Sequence, residues 1–382
     1  MRFISANSIF SGKDKLPEGS VLVLGNQNLL KDIISENDVD PGNVQRYEGI
    51  ITPGFVNAHC HLELSHLKGV IPVHTGLPEF GKNVITQRPK YHAEEINEHM
   101  QEADREMWNN GVVVVGDISN DAASFDLKTR SKITYHTFIE LLGFDPRKSA
   151  EVLSAGIRLL SFLKNMGLPG SLAPHAPYSV SKELIGMIAE YDAGLNEPMS
   201  IHNQESAEET KFFKGEKNAF QDLYRFLGMD TSWFKAPGIS SLAHIIDFTR
   251  KAGTMLVHNT CSTAEDIALA GDHAWWCFCP AANKYIEDRL PKFELFAGKK
   301  EKICIGTDSL ASNSFLDPLR EVNLILSHSN VFSPEDLLRA ITYNPASAIG
   351  LERDFGHLRG NKAGLNLVRL SQGQFKFIQK IV

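Results

Sequence analysis

Short apolar runs alternate with amphipathic, charge-rich stretches along most of this chain. Runs of four to ten residues with strand character occupy residues 55–59, 112–116, 133–142, 171–175, 199–202, 255–258, 274–278 and 303–306. Between them, apolar positions recur at helical spacing, most clearly over residues 94–108, 150–166, 181–191 and 219–227. The pattern therefore predicts repeated strand–helix units.

Repeated strand–helix units indicate a parallel sheet covered by helices. Eight such units predict a closed (β/α)₈ barrel of the TIM type, whose usual size of about 250 residues fits the interval 53–350. Both chain ends have β character instead, with an apolar run at residues 21–24 between turn residues and glycine-punctuated strand patterns near the end. We therefore expect residues 1–52 and 351–382 to form one small composite β domain beside a barrel of residues 53–350.

Composition narrows the class of protein further. The chain has 382 residues, 42% of them hydrophobic and 22% charged, with a formal net charge of -7. An acidic chain argues against nucleic acid or an anionic membrane as the main partner and leaves a small molecule as the expected ligand. The five cysteines are odd in number and lie in apolar segments, which favours free thiols in a reducing cytoplasm. We accordingly predict a cytoplasmic protein without a membrane segment, with homo-oligomerisation left open.

Histidines and carboxylates stand where the predicted strands end. His59 and His61 share one side of a strand because they are two residues apart, and such a pair forms half of a metal site. The others are His175, His202 with Glu205, His258 and Asp308. In a TIM-type barrel these strand ends meet at one mouth, where active sites lie. A single histidine there is more often structural, and Glu205 could be an exposed member of the acidic run 205–209, but the full set favours a metal site.

These motifs carry a resemblance to a known family. Pro53-Gly-Phe-Val-Asn-Ala-His-Cys-His61, Pro174-His-Ala-Pro-Tyr-Ser179, His202-Asn-Gln-Glu205, Cys279-Pro-Ala-Ala-Asn283 and Gly306-Thr-Asp-Ser-Leu-Ala-Ser-Asn313, with His258, are similar to the deaminase and chlorohydrolase branch of the amidohydrolase superfamily. The resemblance implies a hydrolase that acts on carbon–nitrogen bonds of cyclic amidines.

The resemblance also implies roles for individual residues. His59, His61, His202 and Asp308 would hold one divalent metal ion, zinc first and iron or manganese as alternatives. Glu205, His258 and Asp308 would be catalytic, and His175 and Asn283 would contact the substrate. Members with two metals bridge them with a lysine on the fourth strand. That strand and its exit contain no lysine here, which favours a single ion.

The segment His61-Leu-Glu-Leu-Ser65 bears on the substrate. It is similar to the same segment of aminodeoxyfutalosine deaminases, which serve the alternative menaquinone route, within a branch that also deaminates methylthioadenosine and S-adenosylhomocysteine. Glu63, Ser65 and Arg147 would then contact the substrate. Glu63 facing solvent and Arg147 as a surface charge remain equal alternatives.

The sequence therefore predicts a metal-dependent hydrolytic deaminase of an adenine-type nucleoside, with aminodeoxyfutalosine favoured. A guanine or triazine deaminase or chlorohydrolase is the alternative from the same branch. A metal-binding barrel without turnover is the alternative from another class.

Overall fold

The computed structural model describes residues 1–250, 253–360, 362 and 364–382. The strands are β1 Arg2–Ile9, β2 Ser20–Leu24, β3 Leu30–Ser35, β4 Val44–Pro53, β5 Phe55–Cys60, β6 Val112–Ser119, β7 Thr134–Leu141, β8 Gly170–Pro174, β9 Met199–Asn203, β10 Thr254–His258, β11 Trp275–Phe278, β12 Ile303–Ile305, β13 Leu365–Ser371 and β14 Gln374–Lys380.

The α-helices are α1 Leu77–Gln87, α2 Ala93–Asn109, α3 Phe125–Arg130, α4 Ser149–Asn165, α5 Lys182–Leu195, α6 Ala207–Lys214, α7 Phe220–Phe226, α8 Ser241–Thr249, α9 Ala264–Ala270, α10 Pro280–Glu287, α11 Pro318–His328, α12 Pro334–Ala340 and α13 Tyr343–Ala348. Shorter 3-10 helices connect them at Asn26–Asn28, Glu36–Asp38, Pro41–Asn43, Leu62–Leu67, Arg88–Lys90, Pro146–Lys148 and Phe293–Lys302. Over the described ranges, none of these helices has both the length and the apolar character needed to cross a bilayer.

The eight predicted strands form a TIM-type barrel. β5 to β8 pair in parallel and in chain order, and β9 to β12 do the same. Backbone hydrogen bonds connect the two sets of strands at the mouth. The amide of His202 donates to the carbonyl of His175 at 2.9 Å, and those of Thr307 and Asp308 donate to the carbonyl of His59 at 2.9 and 3.1 Å. The prediction of a (β/α)₈ barrel is therefore confirmed.

Apolar side chains fill the barrel interior. Val56, Val114, Phe138 and Val257 belong to one cluster and are at most 2% exposed. Helices cover the outer side of the strands, so each strand is buried on both faces and reads as a nearly continuous apolar run. Cys277 is a free thiol packed in this interior, as expected from its apolar neighbours.

The two ends of the chain share one sheet, with strand order β14-β13-β4-β1-β2-β3. β13 runs antiparallel to β4, and β1 runs parallel to β4. Ile4, Leu22, Ile51 and Leu367 bury one face of the sheet. The small β unit built from both ends is thus confirmed. The boundaries 1–52, 53–350 and 351–382 stay a proposal, and positions 361 and 363 lie outside the described residues.

A fully buried ion pair joins β6, the second barrel strand, to α3. Lys128 Nζ lies 2.7 Å from Asp117 Oδ2, and both side chains are 0% exposed. The other oxygen of Asp117 accepts from the backbone amide of Leu62 at 2.8 Å. Since Leu62 follows His61 directly, the ion pair helps to fix the end of β5, where two of the predicted metal ligands lie.

We expect Lys128→Met to destabilise the protein by about 3–5 kcal/mol, because it leaves the Asp117 carboxylate buried without its counter-charge. Chemical denaturation followed by circular dichroism measures the difference. Lys132→Met removes an exposed lysine a few residues away and should change the free energy of unfolding by less than about 0.5 kcal/mol. Equal effects of the two substitutions would show that the ion pair does not stabilise the fold.

Candidate active site

Four ligand-type atoms meet at the mouth of the barrel. His61 Nε2 lies 3.1 Å from His59 Nε2 and 3.3 Å from His202 Nε2. Asp308 Oδ1 lies 3.5 Å from His61 Nε2 and 3.9 Å from His59 Nε2. Strands β5, β9 and β12 supply these residues from separate parts of the chain. The structure thus brings together all four residues that the sequence analysis nominated as metal ligands.

The spacing of these atoms fits a metal ion. Donors about 2.1 Å from a tetrahedral ion lie roughly 3.4 Å from one another, close to the distances seen here. Burial lowers the pKa of His61 and of His202 to about 4 and that of His59 well below its usual value. The rings are therefore neutral near pH 7 and have lone pairs to offer. Three imidazoles and one carboxylate suit zinc and leave room for water, as in catalytic sites.

Neighbouring groups hold these ligands in orientation. His202 Nδ1 donates to the backbone carbonyl of His175 at 2.7 Å, which directs Nε2 towards His61. The Ser312 hydroxyl donates to Asp308 Oδ2 at 2.6 Å and leaves Oδ1 facing the histidines. Such outer partners fix the tautomer and angle of a metal ligand. His59 Nδ1, in contrast, is buried without a hydrogen-bond partner among the described residues.

The backbone at the strand ends is unusual. Gln204, His258, Asn259 and Asp308 have φ of 49°, 76°, 59° and 55°, although none of them is glycine. Non-glycine residues in this region are uncommon and concentrate at functional sites. These positive φ values occur where β9, β10 and β12 end. The side chains of His258 and Asp308 reach the cluster from these turns.

Gly306 makes close packing behind the ligands feasible. A Cβ atom at this position would lie 2.7 Å from the Cβ of His59 and 2.8 Å from its backbone nitrogen and oxygen. Only glycine allows β12 to approach β5 so closely. This explains a glycine two residues before Asp308.

Glu205 and His258 lie side by side next to the ligands. His258 Nε2 is 3.6 Å from Glu205 Oε1, and the two residues are 1% and 3% exposed. Glu205 is therefore not an exposed member of the acidic run. Its turn is held by Glu209, whose carboxylate accepts from the backbone amides of Gln204 and Glu205 at 3.1 Å each.

The two side chains have strongly shifted pKa values. Burial, reinforced by the Asp308 carboxylate, raises the pKa of Glu205 well above its usual value. Burial and the neighbouring histidines lower the pKa of His258 well below its usual value. The Asn283 amide donates to His258 Nδ1 at 3.0 Å, so the ring proton is on Nε2, facing Glu205. A carboxyl with a raised pKa thus lies beside an imidazole with a lowered pKa, an arrangement suited to moving protons.

The residues nominated as substrate contacts are placed differently from one another. His175 is only partly buried and lies beside His202, with ring centroids 4.8 Å apart. Asn283 is 0% exposed and lies behind His258. Arg147 is not brought to the cluster. Its side chain is 70% exposed and pairs with Asp145 at 2.7 Å and with Asp230 at 3.8 Å.

Glu63 and Ser65 lie in the buried 3-10 helix Leu62–Leu67, and each is 1% exposed. Glu63 lies 3.3 Å from Arg88 and accepts weakly from the backbone amide of Asn120. The Ser65 hydroxyl donates to the Leu62 carbonyl at 2.7 Å. Glu63 therefore does not face solvent, and both side chains have partners within the protein.

Sequence reasoning missed three residues of the site. Ser312 and Glu209 orient Asp308 and Glu205, and Glu140 at the end of β7 has ligand-type atoms within 4.8 Å of those of His175 and His202. A signal for Glu140 was present, because it is a lone charge in the apolar run 138–142. Ser312 and Glu209 act through contacts that no spacing rule reveals.

A cluster of aromatic side chains packs beside His175 at the mouth of the barrel. Phe144, Tyr178, Phe212 and Phe220 belong to one buried cluster, and the Tyr178 ring lies 5.7 Å from that of His175. These rings come from segments that follow β7, β8 and β9.

Comparisons with known proteins identify the family of the chain. The model of the amidohydrolase family matches residues 50–380. A Deinococcus radiodurans protein named aminodeoxyfutalosine deaminase is 27% identical over 323 residues, covering 80% of this chain and 75% of that protein. The solved structure of Helicobacter pylori aminofutalosine deaminase in complex with methylthio-coformycin has a TM-score of 0.81 at 24% identity, covering 97% of this chain and 93% of that chain.

A second solved structure, an adenosine deaminase from Xanthomonas campestris with bound zinc, has a TM-score of 0.71 at 20% identity, covering 97% of this chain and 85% of that chain. These structures share the fold, and the family match extends over most of the chain. The chain therefore belongs to the amidohydrolase family and is a hydrolase that acts on carbon–nitrogen bonds.

Proposed function

We propose that this protein is a metal-dependent deaminase that converts the exocyclic amine of an adenine-type nucleoside to a carbonyl and releases ammonia. The observation that carries the proposal is the meeting of His59, His61, His202 and Asp308 beside Glu205 and His258. A site that only bound metal would need neither of the last two residues. Their shifted pKa values suit proton transfer.

The donor set supports one divalent ion, with zinc the first choice. Nitrogen and carboxylate ligands suit zinc, and the Xanthomonas campestris relative is described with bound zinc. When bound, such an ion supplies a water whose pKa falls from 15.7 to about 7. His59, His61, His202 and Asp308 would hold the ion.

The chain's own residues would carry the protons. Glu205, protonated because burial raises its pKa, donates its proton to the ring nitrogen next to the reacting carbon. His258, whose Nε2 lies beside Glu205, orients the attacking water, while Asp308 accepts a proton from that water. Water's oxygen bonds to the ring carbon, and that carbon's bond to the amine breaks. The amine takes up the proton held by Asp308 and leaves as ammonia. The proton of the new hydroxyl returns to Glu205, which leaves the carbonyl product neutral and Glu205 protonated again.

Aminodeoxyfutalosine is the substrate we propose first. The segment His61–Ser65 and the Deinococcus radiodurans relative named aminodeoxyfutalosine deaminase support this choice. The substrate belongs to the alternative route to menaquinone. Arg147 is paired with Asp145. In this proposal, a carboxylate on the substrate would have to compete with Asp145 for the Arg147 guanidinium.

A substrate panel tests the proposal. Conversion of adenine to hypoxanthine rings shifts the ultraviolet absorbance, so adenine, adenosine, methylthioadenosine, S-adenosylhomocysteine and aminodeoxyfutalosine can be compared in one assay. We expect a nucleoside of this panel to be turned over, with kcat/KM far above that of free adenine because binding contacts are used in the transition state. Turnover of guanine or a chlorotriazine, with every adenine compound inert, would contradict the substrate class.

A further inference from the structure

Glu140 is a buried carboxylate that the proposed chemistry does not use. It ends the inward-facing side of β7 and is 6% exposed. Its Oε2 accepts from the side-chain amide of Asn120 at 2.8 Å. Its Oε1 lies 3.7 Å from His202 Nδ1, too far for a hydrogen bond, and that nitrogen already donates to the His175 carbonyl. Among the described residues, Oε1 therefore has no hydrogen-bond donor.

Three other buried carboxylates at this end of the barrel have more partners than Glu140. Glu209 accepts from two backbone amides, Glu321 from a backbone amide and a side-chain amide, and Glu63 lies against an arginine. Glu140 has a single neutral donor and no Lys or Arg within ion-pair distance in the described part of the chain. A buried charge is costly unless it is hydrogen-bonded. The unused oxygen of Glu140 can therefore accept a hydrogen bond from a ligand.

A second metal ion is not that ligand. Glu140, His175 and His202 each offer an atom within 4.8 Å of the others. However, His202 turns Nε2 to the first cluster and donates from Nδ1 to a carbonyl, so it has no nitrogen left. His175 Nδ1 is 2.5 Å from the Ser179 hydroxyl. One histidine nitrogen and one carboxylate remain, which is too few for a structural or catalytic site.

The position of Glu140 shows which part of a substrate it would meet. Glu205 and His258 follow β9 and β10, and the proposed reaction takes place next to them. Glu140 lies on the other side of the His202 ring, beside His175 on the neighbouring strand. A purine ring with its reacting carbon at the metal ligands and its adjacent nitrogen at Glu205 would direct its sugar away from Glu205, towards β7 and β8.

We propose that Glu140 accepts hydrogen bonds from the sugar hydroxyls and selects nucleosides over free bases. The inference rests on the proposed deaminase function. The ribose offers two adjacent O–H donors, and a carboxylate with a free oxygen is a strong acceptor for them. Asn120 holds the carboxylate in place, and the Asn120 backbone is fixed by Glu63. Glu63 is thereby a positioning residue rather than a direct contact.

The test pairs substitutions in the protein with deletions in the substrate. The kcat/KM values of adenosine, 2′-deoxyadenosine and 3′-deoxyadenosine are compared for the wild type, Glu140→Gln and Glu140→Ala. In the wild type, loss of a contacted hydroxyl should lower kcat/KM roughly 10- to 100-fold, as for a hydrogen bond to a charged group. In both variants the kcat/KM of adenosine should fall to about that of the deoxynucleoside that lacks the contacted hydroxyl. The difference in kcat/KM between these two substrates should therefore largely disappear. If adenosine is turned over too slowly to assay, the three nucleosides are compared instead by their inhibition constants, measured against the best substrate.

Metal content and a control variant complete the test. Both Glu140 variants should retain the wild-type metal content, and Glu151→Gln, an exposed change on α4, should keep the wild-type discrimination. The inference is overturned if the deoxynucleoside penalty persists in the Glu140 variants, or if they lose the metal. A wild type inert towards every adenine compound overturns the proposed function instead. Dissociation constants of the same three nucleosides, measured by calorimetry, then decide the role of Glu140.

Discussion

Glu205→Gln is expected to lower kcat on the best adenine nucleoside by a factor on the order of 10³, within the range for loss of a general acid–base group. Glutamine keeps the size of the side chain but cannot transfer the proton that the proposed mechanism assigns to Glu205, whose pKa is raised by burial. The metal content should stay near one equivalent, because Glu205 is not among the four converging ligands. Steady-state kinetics and elemental analysis of the same preparation measure both quantities.

Glu208→Gln is a matched control for this experiment. Glu208 is in the same acidic run, but its side chain is partly exposed and pairs with Lys211 on α6. It should change kcat by less than about twofold, as is usual for substitutions away from the chemistry. Metal loss in Glu205→Gln would mean that Glu205 is a ligand, and full activity would remove it from the mechanism.

Asp308→Ala is expected to abolish stable metal binding and, with it, activity. The substitution removes the carboxylate that faces the three histidines and the acceptor of the shortest hydrogen bond of Ser312. We expect metal affinity to fall by more than about 10²-fold, beyond the 10- to 100-fold that loss of an outer partner costs. Dialysis against graded concentrations of a chelator, followed by elemental analysis, measures the affinity.

Ser312→Ala provides the graded comparison. It keeps the Asp308 carboxylate but removes the hydroxyl that orients it, so metal affinity should fall by about 10- to 100-fold. Added zinc should restore activity in Ser312→Ala and not in Asp308→Ala. If Asp308→Ala retains one equivalent of metal through dialysis, Asp308 is not a ligand and the four-residue site is wrong.

The sequence was sufficient for the barrel because strand–helix alternation is a local pattern. The predicted run 112–116 became β6 Val112–Ser119, and the predicted helix 94–108 became α2 Ala93–Asn109. The metal-ligand candidates could also be nominated, because parallel strands end at one mouth and polar residues stand out there. The boundaries differ by a few residues, since fraying and turn geometry depend on tertiary contacts.

The substrate contacts could not be derived in the same way. Arg147 stands after β7 at a suitable place along the chain, but Asp145, two residues earlier, captures its guanidinium outside the cluster. Glu63 is predicted to contact the substrate or to face solvent, but Arg88, from a different segment, pairs with its buried carboxylate. In both cases a partner side chain decides the direction. The partner of Glu63 comes from a different segment and leaves no periodic signal. Glu140 is not predicted as a site residue, because it lies inside the predicted strand 133–142, where its apolar neighbours indicate packing.

Gln204, His258 and Asp308 have left-handed backbone conformations at the mouth of the barrel. These conformations lower the thermal stability of the protein while they place side chains of the candidate active site. Such a conformation costs an L-residue about 1–2 kcal/mol, a cost that glycine does not bear. Glycine at any of these positions would relieve the backbone. It would also remove the Asp308 carboxylate, the His258 imidazole or the Gln204 side-chain amide, which donates to Asp266. A selection for thermal survival alone would therefore accept glycines here and return inert proteins, whereas a selection that also demanded turnover would preserve the strain.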